Sequence, residues 1–536
     1  MAHTPQGDLR GVRKHISNTY VDKFFKIPFA APPTGLRRFS RPLPPAGWSG
    51  VRDATQLGPQ CPQRPSNGTV INPVTDEDCL YLNVYRPKMP ADGSLLPVMV
   101  WIHGGSLTSS SGNKYDGTQL AAKGVVVVAI NYRLDALGFL CTEDDVIRGN
   151  FGLWDQVKAL QWVRDSISSF GGNPHDVTVF GESSGSVSVS QLLLSPEATG
   201  LFQKAIMESG VSLVEWGMAR PGLDPNPKRN ARRLAERMGC PTDDSHKIRD
   251  CLRTKDAMAI VNVTANWGYY PVVEPTFGQT GLFSAAPEVT LETDQFSNVT
   301  TIRAFCSQES GNMLNKDQGG MTLEEFRELV KGFVGYNMWQ SSFDVDMDRI
   351  TDLLVDAYVV KPNITDPIQR RAAAVEMRSD YSVIAPTIQE LQMTTKFPVQ
   401  PQYLLSFSYR SPNDPRPDWQ GTVHADDLFY VFGYPVSDTF LWYDFVSGWT
   451  EADRLVSEKF MTLWTNFAKY GNPTPTDMDG VNWLPWTPAT RSYVDLGSTL
   501  TSQVMSDARM AKVKAMMDIL EHELHEKGSA AHALVG

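Results

Sequence analysis

The chain has 536 residues, 41% hydrophobic and 10% aromatic, enough to bury a large core and too apolar for a disordered chain. Lys and Arg number 49 against 60 Asp and Glu, a formal net charge of −11 without a long basic run, which argues against nucleic-acid binding. No apolar stretch reaches the ~20 residues of a membrane-spanning helix. The N-terminal MAHTPQGDLRGV is polar and lacks a secretory core, so the chain is either intracellular or shorn of its signal. Residues 98–102 read as a buried strand ending at His103-Gly104-Gly105, and 125–132 as a strand covered on both faces. Leu153, Val157, Leu160, Val163 and Ile167 recur at helical spacing until Gly171-Gly172 stops the helix. Another strand follows at 176–180, then Gly181, then an apolar helix from about Ser186. This alternation predicts an α/β fold with a large, mostly parallel sheet flanked by helices. Helical patterns return at 322–334 and 450–470, and 506–527 reads as an amphipathic helix packed on the body. Without repeats or a low-complexity linker, the expectation is one domain over 1–536 with inserted helical segments.

Gly181-Glu-Ser-Ser-Gly185, between a strand and a helix, has the form of a tight turn that presents a serine nucleophile. Centring the frame on Ser184 would place Glu182 and Ser186 where glycines are needed, so Ser183 is the expected nucleophile. A serine hydroxyl needs a base within hydrogen-bonding reach. Of nine histidines, His3 and His15 lie at the N-terminal edge, and His522, His525 and His532 in the tail. His175 falls at the far end of the nucleophile strand, His246 in a polar loop, and His103 before the glycine pair. That leaves His424 as the base. The order Ser…Asp/Glu…His places the orienting acid between them, where Glu309 fits best among many carboxylates. His103-Gly-Gly-Ser106 supplies backbone N–H groups for an oxyanion hole, with Ser184 N–H as a further donor.

Several segments together resemble the type-B carboxylesterase/lipase family, the cholinesterase-like α/β-hydrolases, most closely a fungal carboxylesterase. They are 27–35 with Arg38-Phe39, Glu77-Asp-Cys-Leu-Tyr-Leu-Asn83, Asn150-Phe-Gly-Leu-Trp-Asp-Gln156, Phe170-Gly-Gly-Asn-Pro174 and 181–186, in order along nearly the whole chain. The resemblance implies an α/β-hydrolase fold, a triad of Ser183, Glu309 and His424, and oxyanion donors at Gly105, Ser106 and Ser184. His103 and Gly104 complete that loop, Glu182 becomes a carboxylate beside the nucleophile, and Trp216 falls near the wall of the acyl pocket. It also implies disulfides Cys61–Cys79 and Cys240–Cys251, free thiols at Cys141 and Cys306, and a salt bridge between Arg38 and Glu77.

The departures narrow the expectation. Ser106 stands where relatives often have a third glycine, and Ser184 where they have alanine, which adds two hydroxyls to the site. The 61–79 segment has no aromatic residue to hold a quaternary ammonium and looks shorter than a lipase lid. The expected substrate is therefore a soluble small to medium ester, hydrolysed through an acyl-enzyme with no metal or cofactor. Two other classes stand beside it: an acyltransferase or cyclase that uses the same serine but shuts out water, and a neuroligin-like binding protein on the same fold, a class that commonly lacks a triad residue. No nucleic-acid partner or membrane span is expected. Cysteine pairs and sequons at Asn67, Asn262, Asn298 and Asn363 suggest a secreted glycoprotein, against a cytoplasmic alternative that the polar N-terminus suggests.

Overall fold

The computed structural model of the protein describes residues 1–519 except 17, 66–73, 220–225, 265–266, 275–279, 315–318, 340–345 and 438–447. Asn67 and the three tail histidines lie outside the described residues. Eleven strands form one sheet: β1 (Val12–Ile16), β2 (Thr19–Pro28), β3 (Tyr81–Pro87), β4 (Leu96–Ile102), β5 (Val126–Ile130), β6 (Gly172–Glu182), β7 (Lys204–Glu208), β8 (Thr300–Cys306), β9 (Gln402–Phe407), β10 (Ser492–Leu496) and β11 (Leu500–Val504). Their spatial order is β11-β10-β9-β8-β7-β6-β4-β5-β3-β2-β1. The ladders from β10 through β5 are parallel. Both edges are antiparallel, a feature that strand–helix alternation does not signal. Neighbours joined by a short turn can pair only antiparallel, as at β10–β11, whereas parallel neighbours need a crossover. A second, small sheet joins Ala2–Thr4, Gly7–Arg10 and Val51–Asp53.

Side chains of β4 alternate between two cores. Val98, Val100 and Ile102 face helix α1 (Phe151–Ser166) through Leu153, Val157 and Leu160. Met99 and Trp101 join Phe180 and Ile206 in a second core. That core is closed by Phe460 and Trp464 of the long helix Glu451–Tyr470, which Thr450 starts with a capping box. Helix α1 ends five residues before Gly171; a 3₁₀ turn at Ile167–Phe170 fills the gap, and Gly171 closes it at φ 76°. His246 sits not in a loop but on the helix Ser245–Arg253, which Asp244 caps. The irregular second half supplies helices Leu323–Trp339, Met347–Val355, Pro367–Ser379 and Ala385–Thr394, with π-helical turns at Asp356–Val360 and Asp380–Ile384. They enclose a third core of Phe326, Leu354, Tyr358 and Ile388, onto which 507–519 packs Val513 and Met516. The rest of the expected terminal helix lies outside the described residues.

Cys61–Cys79 and Cys240–Cys251 are disulfide-bonded, and Cys141 and Cys306 are buried thiols. Arg38 grips Glu77 through Nε and Nη2 at 2.6 and 2.7 Å. Among the described residues no helix is long and apolar enough to cross a membrane. Of the sequons, Asn262, Asn298 and Asn363 are exposed.

Candidate active site

The register of the central ladders assembles the site. Ile102 of β4 pairs with Gly181 of β6, and Glu182 of β6 with Glu208 of β7, so the loops leaving these strands emerge side by side at their carboxyl ends. β6 turns at Ser183 directly into helix α2 (Ser184–Leu193), two residues earlier than the expected start. Ser183 holds φ 56° and ψ −128°, a conformation few non-glycine residues adopt. Its N–H donates to Glu208 O at 2.9 Å, and Val187 N–H donates to its carbonyl at 2.9 Å. The flanking glycines are needed for space. A Cβ on Gly185 would lie 2.1 Å from Ile102 O, and one on Gly181 would lie 2.7 Å from the Gly185 carbonyl.

Glu309 follows β8 and His424 precedes the short helix α3 (Asp427–Val431). The Nδ1 of His424 bonds Glu309 Oε2 at 2.7 Å, and its backbone N–H donates to the Glu309 carbonyl at 3.1 Å. Glu309 is nearly fully buried, and its Oε1 accepts from Ser209 Oγ at 2.6 Å and Cys306 N–H at 2.7 Å. The other ring nitrogen, Nε2, faces Glu182 Oε1 at 3.2 Å, outside hydrogen-bonding geometry. No bond from Ser183 Oγ to the ring is present among the described residues; apo sites commonly tighten such a contact only on binding substrate.

Burial alone would lower the His424 pKa, but Glu182, then Glu309 and Asp427, outweigh it and raise it to about 10. Burial raises Glu182 to about 8, against the pull of His424, with Asp427 and Glu309 adding to the rise. Behind them lies a pair that sequence reasoning did not single out. Glu208 accepts from Trp464 Nε1 at 2.9 Å and hydrogen-bonds Asp427. Burial drives both carboxyls upward, Asp427 to about 7 and Glu208 well above the ordinary range. The available signal was Asp427 three residues after His424; Ser209 and Glu208, at the end of an ordinary apolar strand, offered none.

After β4 the chain passes His103, fully buried, with its ring stacked 4.4 Å from that of Tyr132 and its Nδ1 2.8 Å from Gly104 O. Burial drops its pKa to about 3, so it is neutral filler beneath the loop. A Cβ on Gly104 would meet Glu182 O at 2.6 Å, so only glycine lets this loop lie against the serine turn. Gly105 at φ 106° and Ser106 at φ 56° continue it. Among the described residues no hydrogen bond occupies the N–H of Gly105, Ser106 or Ser184. The Oγ of Ser184 accepts Leu107 N–H at 3.2 Å and so pins the loop to the head of α2.

Two cavities flank the site. One of about 370 Å³ is walled by Ser106, Ser184 and Trp216 with several polar side chains. The other, of about 380 Å³, borders His424 and is lined by Tyr115, Leu428, Phe429 and Tyr434. The arrangement offers a strained serine, a histidine held by a buried carboxylate, open N–H donors and room on both sides for a divided substrate.

Comparison with known proteins agrees with this architecture. Residues 1–515 match the model of the carboxylesterase family. The chain is 36% identical to pyrethroid hydrolase Ces2e of Rattus norvegicus, over 92% of this chain and 85% of that one. It is 31% identical to neuroligin-2 of Mus musculus over 97% of this chain and 68% of that one. Neuroligin-3 of Mus musculus is also 31% identical, over 98% and 69%. With an α/β-hydrolase sheet and these matches along almost its entire length, the chain belongs to the carboxylesterase family.

Proposed function

We propose that the protein hydrolyses soluble carboxylic esters through an acyl-enzyme on Ser183, with no metal or cofactor. The observation that carries this reading is the 2.7 Å bond from Glu309 to His424 beside a serine turn whose neighbouring N–H groups are unoccupied. Ser183 Oγ attacks the ester carbonyl as its proton passes to His424 Nε2, which exchanges Glu182 for the serine. Glu309 fixes the ring and stabilises its charged form. The N–H groups of Gly105, Ser106 and Ser184 receive the oxyanion. His424 then protonates the departing alcohol and activates water to release the acid. The hydrolase relative supports this activity. The neuroligin matches favour a second reading, a binding protein on the same fold, and the intact Ser-Glu-His set weighs against it. We read the chain as one domain, and its two disulfides favour an oxidising compartment outside the cytoplasm.

The test is hydrolysis of p-nitrophenyl acetate, butyrate and palmitate by wild type and Ser183→Ala, with fluorophosphonate labelling mapped by mass spectrometry. Short-chain turnover should fall by at least about 10³-fold in the variant, with the label on Ser183. Label without hydrolysis would replace the reading with an acyltransferase, and neither label nor turnover in folded protein would replace it with a binding protein.

A further inference from the structure

The cavity walled by Ser106, Ser184 and Trp216 also holds a carboxylate that this mechanism leaves unused, Asp135. Its backbone N–H donates to Leu107 O at 2.7 Å, which ties it to the loop bearing Gly105 and Ser106. Asp135 stands at φ 52°, where glycine would be unstrained, so the chain keeps a side chain at a conformational cost. It is 4% exposed; Ala136 N–H donates to its Oδ1 at 2.7 Å, and the Thr264 hydroxyl and Arg64 also favour its charged form. Gln191, fully buried on the same cavity, donates through Nε2 to Gly217 O at 2.7 Å, while its Oε1 has no partner among the described residues. The Gln191 oxygen is itself sealed from the open space, so the acceptor that borders it is the Asp135 carboxylate, alongside Arg64, Thr264 and Tyr270.

The direction of the reaction assigns this space. His424 has to reach the oxygen of the departing alcohol, so the alcohol portion belongs on its side, where Leu428 and Phe429 make an apolar lining. The acyl portion then extends past the oxyanion donors into the cavity of Asp135 and Gln191. A plain alkyl chain there would strip water from the Asp135 carboxylate and return no hydrogen bond, whereas a hydroxyl would donate to it.

We propose that Asp135 makes this cavity the acyl site for esters whose acid carries hydroxyl groups, an inference that rests on the esterase reading of Ser183. The test compares kcat/KM for p-nitrophenyl 3-hydroxybutyrate and p-nitrophenyl butyrate, each normalised to its spontaneous hydrolysis. It uses wild type, Asp135→Gly, which relieves the backbone, and Asp135→Asn, which tolerates it. Wild type should favour the hydroxylated ester, and the ratio should fall about tenfold in Asp135→Gly and less in Asp135→Asn. Because both esters are read on the same preparation, a reduced folded fraction cancels. An unchanged ratio in both variants, with butyrate turnover still abolished by Ser183→Ala, would overturn the acyl-site inference and leave the esterase reading standing. No turnover of either ester by wild type would overturn both.

Discussion

Glu309 accepts bonds from the His424 ring, Ser209 Oγ and Cys306 N–H, so its carboxylate is held on both oxygens while it steers the imidazole. Glu309→Gln would place an amide where the charged acid stabilises the imidazolium. In the serine-protease triad the corresponding change costs about 10⁴ in kcat, and kcat for p-nitrophenyl butyrate should fall here by about 10³–10⁴. A loss below tenfold would show that another carboxylate steers the ring. The pH dependence has a definite sign. Burial lowers the His424 pKa but Glu182, Glu309 and Asp427 raise it, and in the proposed mechanism only the neutral ring can take the Ser183 proton. kcat/KM should therefore rise as pH climbs through a pKa above the ordinary 6.5. Glu182→Gln removes the strongest raising influence, so the acid limb should move to lower pH; a limb that stays put would exclude Glu182 from this control. The serine was legible from its glycine frame and the histidine by elimination, because those residue types are scarce or geometrically constrained. Glu309 fitted best by its place after an apolar stretch, but the signal was weak, since a buried carboxylate reads in sequence like a solvated one.

The serine turn depends on close approach between elements more than on the serine itself. The carbonyl of Ile102 at the end of β4 lies 2.1 Å from where a Cβ on Gly185 would sit, and both partners are backbone, with no flexible side chain to give way. Gly185→Ala should thus destabilise by about 3 kcal/mol or more, read from the urea midpoint, and should lower turnover even in its folded fraction. A melt within error of wild type would mean that β4 and α2 can slide apart. Elements with strong local signals were legible: β4 spans 96–102 against an expected 98–102, and the long helix 451–470 matches its pattern because Thr450 caps it and Gly471 ends it. β6 extends beyond its apolar stretch to Gly172–Glu182, since pairing with β4 and β7 recruits polar residues that no hydrophobic pattern marks. The antiparallel edge strands and the π-helical turns depend on tertiary partners and leave no periodic trace.

At the scale of the whole molecule, Arg38 joins segments that are remote in sequence. Its Nε and Nη2 hold both oxygens of Glu77 inside the first disulfide loop, and its Nη1 donates to Leu252 O at 2.8 Å and Lys255 O at 2.6 Å. Leu252 lies on the helix that carries Cys251 of the second disulfide, so one side chain that is 5% exposed fastens both loops to the N-terminal region. Burying this pair carries a desolvation cost that its geometry must offset, and removal of one partner leaves the other charged and unpaired. Arg38→Met should accordingly destabilise by about 3–5 kcal/mol, and Arg38→Lys should recover only part of the loss, because an ammonium cannot span both carboxylate oxygens and the two carbonyls. Glu77→Leu alone should also be severe, whereas Arg38→Met with Glu77→Leu should lose less than the sum of the two by about 2 kcal/mol. The cycle is read from urea unfolding followed by tryptophan fluorescence. Strict additivity would mean that the two charges do not stabilise each other, and that the grip of Arg38 on the 252–255 carbonyls alone ties the loops together.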